Sequence, residues 1–324
     1  MHAGHSKLSK LNEGDVMSIS ASMVKELREK TSAGMMDCKK ALEESKGDFE
    51  AAVEWLRVKG LSAAAKKSDR IAAEGLVNAA TSGTTAAVVE INSETDFVSR
   101  NDNFKAFVAD ITKHVLTINL MTPILEQAYA KSPGKTVGDA LKEAIAFIGE
   151  NIVIRRTERY TVTGSGLVHT YIHGEGKIGV MIEVGAANAA AATSADAKTF
   201  AADVCLHIAA MSPMAVSSDQ IPAAVVAKEK EILKAKNLEQ GKKPEMIEKI
   251  VEGQIRKFLA ENCLLDQAFV KNPDLKVSDY MKEAGKKAGG DLTIKRFVRV
   301  ELGAGIEKKV VDFAAEVAAQ TQNH

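Results

Sequence analysis

Gly174-Glu175-Gly176-Lys177-Ile178-Gly179 carries the spacing G-x-G-x-x-G, with which a backbone can approach a pyrophosphate. That chemistry needs a helix to open at the glycines, so that its first N–H groups meet the phosphates. Here Val180-Met181-Ile182-Glu183-Val184 follows, an apolar run of strand type, and the glycines read as a hairpin turn. No phosphate loop of the G-x-x-x-x-G-K-[ST] kind occurs. The seven histidines, His2, His5, His114, His169, His173, His207 and His324, form no His-Glu-x-x-His, nucleophile-elbow or Cys–His signature. Cys38, Cys205 and Cys263 are odd in number and far apart, so neither a disulfide framework nor a zinc site is expected. A reducing, cytoplasmic setting fits them. The residues thus offer no catalytic constellation, no metal site and no cofactor cradle. His173 stays of interest, because it precedes Gly174 at a hairpin tip where a partner could touch it.

A second stretch asks for something other than catalysis. In Glu90–Asp102 (EINSETDFVSRND) a strand-like opening runs into a helix start, with Thr95-Asp96-Phe97-Val98 between them. An aromatic and an aliphatic residue stand where a polar connection is expected. Phe97 either packs on its own helix as a hydrophobic staple ahead of a cap at Asn101, or serves another protein's core. Spacing leaves both readings open.

The elements around these residues come from an internal repeat. Val88–Ile91 (VVEI) matches Met181–Val184 (MIEV), and Phe107–Val115 matches Phe200–Ile208, both at an offset of 93 residues. Thr136–Ala144 matches Lys276–Ala284 at an offset of 140, which the strands from Ile152 and Leu292 keep. Strands are expected near 75–80, 86–92 and 152–162, then 167–172, 178–184 and 292–302. After the second strand, Phe104, Phe107, Val108, Ile111, Val115 and Ile118 mark the apolar face of a helix. His114 and His207 are equivalents on helices, which points to structural roles. At the offset of 93, Asn188-Ala189-Ala190-Ala191 stands for Thr95-Asp96-Phe97-Val98, so the same joint tolerates featureless residues.

The change of offset means 47 extra residues in the second copy, and they read as two amphipathic helices, 221–238 and 245–265, joined by a short turn. A projecting antiparallel hairpin is expected, with Ile247, Ile250, Val251, Ile255, Phe258 and Leu259 along one stripe. Its lysines (Lys228, Lys230, Lys234, Lys236, Lys242 and Lys243) alternate with Glu229, Glu231 and Glu239, a pattern of a solvated face rather than an RNA-binding one. Ahead of the repeat, residues 18–60 read as three short helices, the third capped by Asp48 and ending at Gly60.

Composition agrees with a globular protein. The 324 residues are 45% hydrophobic, 27% charged and 5% aromatic, and 43 basic residues balance 43 acidic ones. Such neutrality excludes a protein that holds nucleic acid by broad basic excess, and no apolar run is long enough for a membrane span. The first 16 residues lack the apolar centre of a signal peptide.

Leu27–Leu42 (LREKTSAGMMDCKKAL) and Glu90–Arg100 (EINSETDFVSR) resemble the two signatures of the translation elongation factor Ts family, and the resemblance extends over about residues 18–320. It implies a guanine-nucleotide exchange factor for elongation factor Tu, not an enzyme, binding that partner in its GDP-bound and nucleotide-free states, with no membrane and no direct nucleic-acid contact. The implied fold is α+β: an N-terminal three-helix module like a ubiquitin-associated domain, then two repeated subdomains, each a small antiparallel sheet plus helices, the second carrying the helical hairpin. On that pattern the chain divides into a disordered extension 1–17, the module 18–61, a linker 62–74, subdomain one 75–165, subdomain two 166–305 with its insert at about 221–265, and a C-terminal helix 306–324. The resemblance makes Thr95, Asp96, Phe97 and Val98 a partner-binding loop. Phe97 would wedge between partner helices, and Asp96 would disturb the network that holds magnesium beside the nucleotide. Arg28, Met35 and Met36 would dock the N-terminal module, and His173 would lie at the core interface. A small enzyme using Asp96 as a base, and an RNA-associated scaffold using the hairpin lysines, are the competing readings.

Overall fold

The computed structural model of the chain describes residues 19–31, 33–118 and 121–307. The expected extension 1–17 and nearly all of the expected C-terminal helix lie outside the described residues. The architecture is α+β, three helices followed by small antiparallel sheets that helices cover.

Helices α1 (Ala21–Thr31), α2 (Met35–Glu44) and α3 (Phe49–Ala65) close a small core around Val24, Leu27, Cys38, Ala41, Leu42 and Ala52. Asp48 caps α3 as its type and place suggest, accepting from Ala51 N at 3.0 Å. The helix does not stop at Gly60, however, and runs on to Ala65 through the start of the expected linker. Packing explains the overrun. A Cβ at Gly60 would lie 3.1 Å from the Cβ of Ala146, so the glycine lets a later helix come close, and that contact offsets the roughly 0.5–1 kcal/mol that a mid-helix glycine costs.

The first sheet pairs β1 (Glu74–Ser82), β2 (Thr85–Ser93) and β3 (Ile152–Thr161) in that order, all antiparallel. Between β2 and β3 lie α4 (Asp96–Ser99), α5 (Asp102–Thr117) and α6 (Val137–Ile148). The second sheet repeats the scheme with β4 (Gly166–His173), β5 (Ile178–Ala186) and, at the far end of the chain, β8 (Leu292–Glu301). Its helices are α7 (Ala189–Thr193), α8 (Ala195–Met211) and α11 (Val277–Ala288). A two-stranded ribbon, β6 (Ala268–Phe269) and β7 (Asn272–Lys276), precedes α11. The sequence did not announce it, because Pro273 falls inside β7 and removes a ladder donor.

Strand alternation shows how the layers stack. On β2, Ala87, Val89 and Ile91 face α5 and α6, whereas Ala86 and Val88 face the other sheet. On β5, Val180, Ile182 and Val184 face α8 and α11, whereas Met181 faces back. The central strands are thus buried on both sides, which is why VVEI and MIEV read as continuous apolar runs. Between the sheets, Val77, Val88 and Tyr160 meet Val168, Met181 and Val300. Gly179 permits that approach, since a Cβ there would stand 2.4 Å from Val77 Cγ1. Across the same junction the Arg296 guanidinium lies 4.0 Å from the centre of the Tyr160 ring.

Both copies carry a bulge at the equivalent place, Glu90/Ile91 and Glu183/Val184. Each bulge aims a glutamate at an arginine of the edge strand. Glu90 is fully buried and accepts from Arg155 Nη1 at 3.0 Å, Gly303 N at 2.8 Å and Asn92 Nδ2 at 3.1 Å. Arg156 Nε stands 3.4 Å from its other oxygen, near enough for an ion pair but not aligned for a hydrogen bond. Glu183 accepts from Arg296 Nε at 2.7 Å.

A second device also recurs. His114 Nε2 lies 3.0 Å from Gln127 Oε1 while its Nδ1 accepts from Ala130 N at 3.4 Å. His207 does the same with Gln267 at 2.9 Å and Val270 N at 3.1 Å. The Nδ1 atoms accept, so the Nε2 atoms carry the protons and donate to the glutamines. Both histidines are buried and serve the fold.

The inserted helices are α9 (Ala223–Glu239) and α10 (Pro244–Asn262). Beyond their root they pack on each other, with Ile247, Val251, Ile255 and Leu259 of α10 against Val226 and Leu233 of α9. The helical part ends at Asn262 rather than 265. Cys263 pairs with Ala215 in a parallel bridge, and Leu264 is buried in the core of the second sheet.

Candidate functional site

The joint after β2 decides what Thr95–Val98 can do. Residues 96–99 form the single helical turn α4, packed against β1 and β2, and not an irregular loop. Within it the adjacent apolar residues part company. Val98 is 7% exposed and belongs to the core of the first sheet, whereas Phe97 is 77% exposed. The staple reading of Phe97 therefore fails in the free chain. Asn101 caps α5 through Asn103 N at 2.9 Å and Phe104 N at 3.2 Å without help from Phe97.

The second copy repeats this division. Its one-turn helix α7 buries Ala191, the equivalent of Val98, and exposes Ala190, the equivalent of Phe97. The fold needs an apolar residue at the first of these positions and asks nothing of the second.

What fixes α4 is a set of polar bonds from residues distant in sequence. Thr95 does not cap the turn with its own side chain. The Glu150 carboxylate instead accepts from Thr95 N at 3.0 Å and from Thr95 Oγ1 at 2.6 Å. In return, Glu94 Oε1 accepts from Asn151 N at 2.6 Å. Ser93 Oγ donates to the Thr95 carbonyl at 3.0 Å, and Ser99 Oγ to that of Asp96 at 2.6 Å. Asp96 itself points outward; among the described residues its carboxylate pairs with Arg100 at 3.8 Å, both side chains more than half exposed. Such a pair is held weakly in water, so Asp96 remains available.

His173 ends β4, exposed, with its Nδ1 3.1 Å from Tyr171 Oη. The following Gly174, Glu175 and Gly176 all have positive φ, the tight turn that the glycines suggested. The Gly176 carbonyl accepts from Val77 N at 2.8 Å, which seats this hairpin tip on β1. The His173 turn and the α4 turn are therefore both carried by β1.

Arg28, Met35 and Met36 come together elsewhere. They line one shallow groove between α1 and α2, with Val24 on its floor. Met35 and Met36 are 59% and 73% exposed, an apolar pair that no described residue covers. This groove is built on the core of the helical module and α4 on that of the first sheet, so the candidate residues form separate patches on one chain.

Nothing in the thiols competes with an interface role. Burial pushes Cys38, Cys205 and Cys263 up from the ordinary thiol range, so they stay protonated. Among the described residues, no group of three or more His, Cys, Asp or Glu could hold a metal ion, and no helix is long and apolar enough to cross a membrane. On the hairpin, Lys234 pairs with Glu248 at 2.6 Å.

Glu94, Glu150 and Asn151 were not singled out by sequence reasoning. One signal could have found Glu150: at the offset of 140, Gly290 stands in its place, so the glutamate is present in one copy and absent from the other.

Comparison with known proteins adds an independent line. The protein-family model described as Elongation factor TS matches residues 94–304. The chain is 70% identical over 308 residues to the elongation factor Ts of Bdellovibrio bacteriovorus, across 95% of this chain and 100% of that protein. It is 51% identical over 308 residues to the elongation factor Ts of Brucella anthropi, across 94% and 99% of the two chains. With that of Symbiobacterium thermophilum the identity is 47% over 304 residues, across 93% and 98%.

Proposed function

The chain belongs to the elongation factor Ts family, and from that premise we propose that it is a guanine-nucleotide exchange factor that binds elongation factor Tu and promotes release of GDP during translation elongation in the cytoplasm. The partner would be engaged both with GDP bound and without nucleotide. The observation that carries the finer reading is Phe97, 77% exposed on a pinned turn whose counterpart bears Ala190. An aromatic side chain held rigidly in water has little use to its own fold and suits a slot in a partner. Phe97 would enter that slot beside the nucleotide. The exposed carboxylate of Asp96, next to it, would disturb the ligands of the magnesium ion that bridges the phosphates. Arg28, Met35 and Met36 would dock the helical module, and His173 the second sheet.

Exchange of this kind makes and breaks no covalent bond. It requires a complex in which nucleotide is held less tightly, and by linkage the nucleotide weakens the factor's own binding equally. The test is release of labelled GDP from purified elongation factor Tu in the presence of excess unlabelled nucleotide. Acceleration that rises and saturates with added factor is expected. Release at the unassisted rate at every concentration would remove the proposal.

A further inference from the structure

We propose that Glu150 is a positioning residue for nucleotide exchange, acting through Thr95 to hold Asp96 and Phe97 in their presented geometry; this rests on the reading of those two residues as the intruding pair. A single helical turn does not hold itself in water, because the few bonds it makes do not offset the dihedrals it fixes. Residues 96–99 are such a turn, and its N-cap residue makes no capping bond of its own. The Glu150 carboxylate supplies what is missing, taking both the N–H and the hydroxyl of Thr95 at 3.0 and 2.6 Å. Glu150 is itself placed by Gly149, the left-handed residue that ends α6. Glu94 accepting from Asn151 N at 2.6 Å closes the clasp from the other side.

The second copy shows that the fold can make this joint without a carboxylate. There Ala187 N donates to the Asp291 carbonyl at 2.9 Å, and Asn188 caps its own turn by accepting from Ala191 N at 2.8 Å. Gly290 replaces Glu150, and a Cβ at that position would come 2.8 Å from Asn188 Nδ2. The self-capped turn presents only Ala189 and Ala190; the clasped turn presents Asp96 and Phe97. The copy with side chains to aim is the one that carries the remote carboxylate. An unclasped turn would have to be ordered when the partner binds, and that ordering would be lost from the rate of nucleotide release.

The experiment titrates the full-length factor against elongation factor Tu loaded with fluorescent GDP and reads maximal release rate and half-saturating concentration separately. Glu150→Gly is expected to lower the maximal rate by about tenfold, roughly 1.4 kcal/mol, with the half-saturating concentration little changed, because the other patches still dock. Glu150→Gln keeps an acceptor for the Thr95 N–H and gains a donor for its hydroxyl, so it should hold most of the maximal rate. If Glu150→Gly instead leaves the maximal rate intact and raises only the half-saturating concentration, the residue merely maintains the folded fraction and the proposal falls. It falls also if Glu150→Gln is as slow as Glu150→Gly. Phe97→Ala runs alongside. If Phe97→Ala is slow and Glu150→Gly is not, positioning alone is wrong; if Phe97→Ala releases at the full rate, the reading beneath it is wrong. The double variant should be no slower than Phe97→Ala, since both act through one device, and losses that multiply would place Glu150 in a different one.

Discussion

Phe97 and Val98 are neighbours in sequence with opposite burdens, so exchanging each for alanine should give opposite phenotypes. An aromatic side chain buries about 150–250 Å² when fully covered. With 77% of Phe97 open to solvent, a partner slot could cover roughly 150 Å², worth about 4 kcal/mol at ~25 cal/mol per Å². Even half of that, about 2 kcal/mol, is the scale of an interface hot spot, and every 1.4 kcal/mol is about tenfold. Phe97→Ala should therefore slow stimulated GDP release by at least about tenfold. In the free protein the change meets solvent, as Ala190 does in the second copy, so stability should move by no more than about 0.5 kcal/mol. Val98→Ala removes two buried methyl groups from the first sheet's core, at about 0.8 kcal/mol each plus a cavity contribution. A loss of roughly 1.5–2.5 kcal/mol should lower Tm by several degrees, while the folded protein exchanges nucleotide at close to the normal maximal rate. Stopped-flow release of fluorescent GDP and thermal unfolding by circular dichroism give the two quantities for each variant. The reasoning is refuted by the reverse pattern, in which Phe97→Ala melts early yet exchanges normally.

Three further outcomes follow from the packing. Replacing residues 223–262 by a short Gly-Ser linker should leave a cooperatively unfolding core, because Ile221 and Leu264 stay in place, while binding to elongation factor Tu weakens; a broad, non-cooperative melt would show that the hairpin belongs to the core. Gly179→Ala forces a methyl group into Val77 across the sheet junction and should cost about 1–3 kcal/mol in urea unfolding, whereas a neutral result would mean that the sheets separate easily. Burial holds the His207 pKa below the ordinary imidazole value, against the opposing pull of its bond to Gln267. The unfolded chain then binds more protons than the folded one, so stability is full above about pH 6.5 and declines as pH falls through that value toward the folded pKa. His169 is shifted the same way by burial, and in urea unfolding His207→Gln should lose less stability between pH 7.5 and pH 5 than the parent protein does.

The parts of the fold legible in the sequence are those that repeat or alternate. Helical faces such as Phe104, Phe107, Val108, Ile111 and Val115 declared themselves by spacing, and the change of offset announced the inserted hairpin. Gly60 misled because its effect lies in a neighbouring helix, at Ala146, and not in its own propensity. The choice between Phe97 and Val98 was illegible from spacing, since one turn of helix is too short to show a period. The second copy has alanine at both places, so only the structure, which exposes Ala190 and buries Ala191, separates the two positions. Glu150 was hidden by its distance, bonding to Thr95 from 55 residues away.

That distance bears on what the signature Glu90–Arg100 is for. Glu90 is buried at a bulge against Arg155, and Asn92 donates to the Glu74 carbonyl at 3.2 Å. Ser93, Glu94 and Thr95 are engaged by one another or by Glu150 and Asn151, and Val98 is core. Asp96, Phe97 and Arg100 are left facing outward from this framework. Most of the recognisable string is therefore internal scaffold, and a residue's membership of it is no evidence that the residue touches a partner. Its chemistry suits exchange all the same. A side chain that must enter another protein beside a bound nucleotide gains most when its backbone is already ordered, because ordering it on contact would be subtracted from the free energy that loosens the nucleotide. In Glu90–Arg100 the scaffold residues already hold that order in the free chain, which is what the role proposed for Asp96 and Phe97 requires.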